Sequence, residues 1–257
     1  MSDTYARVMR PADEPGKRRA TRSGAGRRSG ASPSLAAAPA QAKRTPATGK
    51  EAPAEGARTP AETTFAAAVA AFLAGRDAQA DRDFLFEDVP APKRLAPYAT
   101  AIAASVQRDG ADVAWGRLVL LYDPDGQEGW DGVFRLVAYV RADVEPEMAA
   151  DPLLGEVGWS WLSEALDAHV PGYAVPSGTV TRVITEGFGA KRDELPLTGF
   201  ELRASWSPAG PGNSEADDRD LDILDLSAHI SAWCDCLSAA AGLEPPGTRA
   251  LRPPGRG

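Results

Sequence analysis

An α+β fold, with an antiparallel sheet of about five strands and helices packed on one face, follows from three features of the chain. Two apolar runs, Val113–Tyr122 and Gly132–Val140, flank the turn Asp123-Pro124-Asp125-Gly126. They read as an antiparallel hairpin with a long loop. A capped amphipathic segment follows from Asp151, then two more strand-like runs and a closing helical stripe. Connections this short favour antiparallel pairing, with the helices segregated to one face.

The elements follow in order. Thr63-Thr64 precedes the Ala-rich run Phe65–Leu73, where Phe65, Val69, Phe72 and Leu73 recur at helical spacing and Gly75 marks the end. Asp77–Pro92 is polar, and Pro90 and Pro92 mark it as loop. Leu95–Val106 fits a helix or a strand, and Tyr98, Ile102 and Val106 favour the strand. Val113–Tyr122 alternates cleanly. The turn after it has Asp first, Pro second and Gly fourth, the type I pattern. Pro146–Met148 fits a single helical turn. Asp151-Pro152 reads as an N-cap followed by Pro at the first helical position. Leu154, Val157, Trp161, Leu162, Ala165 and Leu166 then form a helical stripe, which Pro171-Gly172 stops. Gly178–Thr185 and Thr198–Trp206 are two further strands, and Ser207–Arg219 is a Pro/Gly/acidic loop. Leu226, Ile230, Trp233 and Leu237 define a last helix, with Gly242 at its stop. The order is α-β-β-β-α-β-β-α.

Charge divides the chain. Met1–Glu62 carries 12 basic and 6 acidic residues and one aromatic, Tyr5; the remainder carries 16 and 30. A segment without apolar bulk cannot offset its ordering entropy. Residues 1–62 are therefore expected to be a disordered basic tail, 63–246 a single domain and 247–257 a flexible C-terminal tail. The tail offers weak contact with nucleic acid or another polyanion, although a solvated tail is the simpler reading. The acidic domain argues against a conventional nucleic-acid-binding fold. Lys17-Arg18-Arg19 and Arg27-Arg28 lack a following apolar core, so no export signal is read. No window approaches a membrane span. Cys234 and Cys236 would stand about 200° apart on a helix, which excludes an intrahelical disulfide and a CxxC redox site. A reducing cytoplasm suits them.

Alternation assigns the sheet two unlike faces. Phe134, Leu136, Ala138 and Val140 share one face, as do Phe200, Leu202, Ala204 and Trp206. Arg117, Arg135, Arg203, Tyr139 and Trp115 fall on the other. An Arg–aromatic face has the composition of a protein-binding surface, and also of an ordinary solvated sheet. Trp159 falls at the rim of its helical stripe, where half-exposed Trp serves as an interface anchor. The candidate binding residues are thus Arg117, Arg135, Tyr139, Trp159 and Arg203.

Catalytic and metal patterns fail on inspection. Asp123, Asp125 and Gln127 start an EF-hand-like spacing, but Glu128 stands where Gly is needed and Phe134 where the bidentate Glu is needed. A hairpin turn with solvated Asp123, Asp125, Glu128 and Asp131 is favoured. His169 and His229 lack metal-ligand neighbours at helical spacing. Ser160 is mid-helix rather than in a nucleophile elbow, and no phosphate-binding loop occurs. No metal and no cofactor are expected.

Several blocks resemble a known family. They are Gly116–Gly126, Gly129-Trp130-Asp131-Gly132, Arg135–Val140, Met148–Leu154, Glu156–Leu162, Arg203–Trp206 and Trp233-Cys234. Together they resemble the domain-of-unknown-function family numbered 3000, from high-GC Gram-positive bacteria, over about Phe65 to Pro246. The resemblance implies a cytoplasmic protein and carries over no activity, cofactor or catalytic residue. The element order also looks like the type III secretion chaperone fold, whose members are small dimeric binding proteins; fold likeness says little about function. The expectation is a non-catalytic cytoplasmic adaptor or chaperone-like module that binds a protein partner, with homodimerisation as one form. Two other readings stand beside it: an RNA-associated accessory factor using the basic tail, and a hydrolase using the acidic-turn carboxylates.

Overall fold

The computed structural model describes residues 58–80, 83–193, 196–209 and 224–243. Of the tail expected over residues 1–62, residues 1–57 lie outside the described residues, as do the acidic loop beyond 209 and the C-terminal tail; residues 60–62 instead belong to the first helix.

The first helix, α1 (Pro60–Asp77), begins three residues ahead of Thr63. Thr59 is its N-cap: its hydroxyl accepts from Glu62 N at 3.2 Å, and Glu62 accepts from Thr59 N at 2.8 Å. With Pro60 at the first helical position, this is a complete capping box. β1 (Phe84–Asp88) follows, inside the stretch expected to be loop. It is only five residues long and pairs on one side, so its sequence signal is short and half polar. β2 (Tyr98–Arg108), β3 (Ala111–Tyr122) and β4 (Phe134–Asp143) continue as antiparallel neighbours. Next come the short α2 (Pro146–Ala150) and α3 (Leu154–His169). The N-cap is Leu153, without a side-chain cap, and not the expected Asp151; Asp151 forms the turn before the helix, its Oδ1 accepting from Leu153 N at 2.8 Å and its O from Leu154 N at 3.2 Å. β5 (Tyr173–Thr185), β6 (Leu197–Pro208) and α4 (Leu226–Ala240) complete the fold.

The architecture is α+β, with an antiparallel sheet of six strands in the order β1-β2-β3-β4-β6-β5. β6 inserts between β4 and β5, which leaves β5 at the edge. Helices cover one face. Ile102, Leu118, Leu120, Leu136, Val140, Phe200, Leu202 and Trp206 rise from the strands into a core shared with Phe72, Leu162, Leu166, Ile230, Trp233 and Leu237. α4 is the central helix, contacting α1, α3 and strands β3, β4 and β6. It ends as the sequence foretells. Gly242 has φ +66, Leu243 N donates to Ser238 O at 2.9 Å and Gly242 N to Ala239 O at 3.0 Å, a Schellman closure. No described helix is long and apolar enough to cross a membrane.

Candidate functional site

The face opposite the helices has two halves. In one, Ala101, Val119, Leu121 and Val137 form a small second core. The β1–β2 linker supplies Val89, Leu95 and Ala96 to it, and the β3–β4 loop supplies Trp130. Arg117 holds that linker down: its Nη2 donates to Pro90 O. Burial lowers the pKa of its guanidinium from the ordinary arginine value.

Arg135 serves the same half from inside. It is 6% exposed. Nη1 donates to Ser207 Oγ at 3.2 Å; Nη2 donates to Ser205 Oγ at 2.7 Å and to Val175 O at 3.0 Å. Val175 is a β-branched residue at φ +43, a strained conformation, and it stands at the break in register between β5 and β6. Arg135 thus fastens the irregular start of β5 to β6.

The other half is the more open one: Trp115 and Arg203 are only half-buried, although Tyr139 between them is 6% exposed and packs into the second core. Register aligns Arg117, Tyr139, Arg203 and Thr179 across β3, β4, β6 and β5. The next row aligns Trp115, Arg141, Glu201 and Thr181. Trp115 meets the Tyr139 ring edge-on at 5.6 Å between centroids. The Arg203 guanidinium stands 5.4 Å from the same ring, and its Nη2 donates to Glu201 Oε2 at 2.7 Å. The Tyr139 phenol is pushed up to about 12, first by burial and then by the charge and hydrogen bond of Glu201. It stays protonated at neutral pH and acts as a donor, not a base. Arg141 is exposed at the margin.

Trp159 does not join this cluster. It is half-buried on α3, on the helix side, where a side chain built on Gly178 of β5 would come within 2.7 Å of its ring. The five candidate residues therefore divide. Tyr139 and Arg203 touch; Arg117 lies beside them in the same row; Arg135 is one half-face away; Trp159 is on the reverse of the sheet. Glu201 and Arg141 complete the open cluster. The i, i+2 period that put Arg203 on this face also put Glu201 there, but the pairing of β6 with β4 was needed to bring Arg141 beside it.

The acidic turn is built as a turn. Gly126 N donates to Asp123 O at 3.0 Å. Asp123 Oδ1 accepts from Asp125 N at 3.2 Å and Oδ2 from Gln127 Nε2 at 3.0 Å. Asp125, Glu128 and Asp131 are exposed. Among the described residues, no three His, Cys, Asp or Glu side chains converge as a metal site. His229 is 0% exposed, and its Nδ1 accepts from Trp206 Nε1 at 3.0 Å. His169 Nε2 stands 2.6 Å from Asp235 Oδ2, joining α3 to α4. Cys236 is fully buried, which pushes its thiol up to about 12.

Comparison with known proteins gives one match: a family described as a protein of unknown function (DUF3000) matches residues 61–249. No curated protein and no solved structure matches. The match spans nearly all of the α+β domain, and the chain belongs to the DUF3000 family.

Proposed function

We propose that this chain is a non-catalytic protein-binding module, adaptor or chaperone-like in kind. It engages its partner through the open half of the sheet. One observation carries this reading: Trp115 and Arg203 each pack on Tyr139, across three strands on the face that no described helix covers. Aromatic residues and Arg dominate interface energetics when a partner excludes water from them. Tyr139 is already pinned between its neighbours, so little ordering entropy is lost on contact. Glu201 and Arg141 give the margin both signs of charge, which suits recognition by complementary polar groups. Arg117 and Arg135 support the site indirectly, by fixing the linker and the start of β5.

Affinity purification of the native chain beside a Trp115→Ala/Arg203→Ala variant tests the reading. The variant should stay folded by circular dichroism, with a lowered melting temperature because Trp115 packs on the second core, and should lose specific proteins; direct titration with the identified partner should show weakening of about tenfold or more. An identical set of proteins, retained with unchanged affinity, rejects it.

A further inference from the structure

The outer edge strand β5 carries apolar surface that neither the core nor the open face uses. We propose that β5 pairs antiparallel with β5 of a second copy of this chain, about a two-fold axis through Thr181. None of the 13 residues of β5 is buried, and among the described residues the strand is paired only on its β6 side. Sheet edges are commonly blunted by shortness, by charge or by proline. β1, the opposite edge, has five residues and ends in Glu87-Asp88. β5 instead runs in unbroken register from Ser177 to Thr185. Its one charge there, Arg182, turns to α2 and the residue after it: Nη1 donates to Asp151 O at 2.9 Å and to Ala150 O at 3.4 Å.

Symmetry selects the register. Antiparallel edges extend one sheet, faces matched, only when the two-fold axis is perpendicular to the sheet and passes through a residue position. An axis at Arg182 would oppose two guanidinium groups. An axis at Val180 would set Pro176, beside the register break, opposite Ile184. Thr181 is the midpoint of the regular run, so an axis there uses all of it. Ser177 then faces Thr185, Val180 faces Arg182, and Thr181 faces itself. Gly178 faces Ile184 of the second copy. Ile184 is 54% exposed, and the Trp159 ring lies over Gly178. Each copy thereby lays its exposed Ile184 beside the other's half-buried Trp159. The helices of the two copies fall on the same side, and the two open half-faces become one surface.

This dimer is independent of the open-face reading, because its readout is mass rather than partner retention. Sedimentation velocity of the full chain over about 1–200 µM should show a monomer–dimer equilibrium, as suits a small interface. Thr181→Lys sets like charges face to face and should raise the dissociation constant at least about tenfold, with a melting temperature equal to the native chain's at concentrations where both are monomeric. Thr181→Cys should form a disulfide-linked dimer under mild oxidation, since directly opposed antiparallel residues bring their Cα atoms to about 4.5–5.5 Å. Thr179→Cys, which faces Val183, should not. The native Cys234 and Cys236 are 0% exposed and stay silent. A chain that remains monomeric throughout, a dimer that Thr181→Lys leaves intact, or cross-linking no faster at Thr181 than at Thr179 overturns the proposal.

Discussion

Arg135 and Arg203 stand on the same face of one sheet, yet substitution should affect them in opposite ways. Arg135 is buried, and its hydrogen bonds hold Ser205, Ser207 and the strained Val175. Arg135→Met should cost about 2–4 kcal/mol, because buried acceptors are left without their charged donor. Arg203 is half-exposed and tied to Glu201 and the Tyr139 ring. Arg203→Met should cost less than about 1 kcal/mol, the scale of a solvent-screened pair. Urea unfolding of the two variants checks the contrast, and equal losses would contradict the assignment of Arg135 to the framework. His229 adds a pH dependence. Burial lowers its pKa from 6.5 to about 4, while the charge of Asp225 pulls the other way. Below pH 6.5 the unfolded chain takes up a proton that the native chain refuses until about pH 4. Its contribution is therefore whole above pH 6.5 and fades as pH falls towards 4, by about 3 kcal/mol. His229→Asn keeps an acceptor for the Trp206 indole and does not titrate, so urea midpoints between pH 7 and 4.5 should fall less steeply than in the native chain.

At the scale of elements, packing depends on a position where a side chain is missing. A Cβ on Gly158 of α3 would stand 2.2 Å from the Phe200 ring of β6. Alanine there gains up to about 1 kcal/mol in helix propensity, but the overlap should cost about 1–3 kcal/mol. Gly158→Ala should thus be destabilising in thermal melts, and Phe200→Leu in the same chain should recover part of the loss. Recovery is the diagnostic, since a propensity effect would ignore Phe200. Most elements were legible in the sequence because their residue types are patterned: β3 and β6 alternate, and the α3 stripe recurs at helical spacing, while β4 is an apolar run buried on both faces from Phe134 to Val140. Two features were not. β1 is too short for its alternation to stand out from the Pro-rich segment beside it. The capping box of Thr59 and Glu62 is plain in the residues, but it precedes the first apolar position, Phe65, and so fell outside the expected helix. The candidate site was half legible. Alternation placed Arg117, Arg135, Tyr139 and Arg203 on one face, whereas their burial depends on which loops fold over that face, and strand period carries no information on that.

The whole molecule is organised around α4, and this explains a pattern that helical geometry alone does not. Two residues apart on a helix point to opposite sides, so Cys234 and Cys236 would ordinarily divide between core and solvent. Both are 0% exposed, because α1 and α3 flank α4 while the sheet lies beneath it. A helix enclosed on several sides is apolar nearly all round. The same enclosure makes the thiols reporters of the entire fold. Burial pushes Cys236 up to about 12, with the charge of Asp235 adding to it, so at pH 8 the native side chain is neither ionised nor reachable. α4 packs on α1, α3 and three strands, so exposing its inner face requires separation of the helices from the sheet. Labelling by an aromatic disulfide reagent should therefore be negligible in the native chain. With rising urea it should accelerate with the slope of global unfolding, and the opening free energy from the labelling rates should match that from circular dichroism to within about 1 kcal/mol. Faster labelling with a shallow urea dependence would mean that α4 leaves the sheet on its own, and that the fold divides at the very layer that joins it.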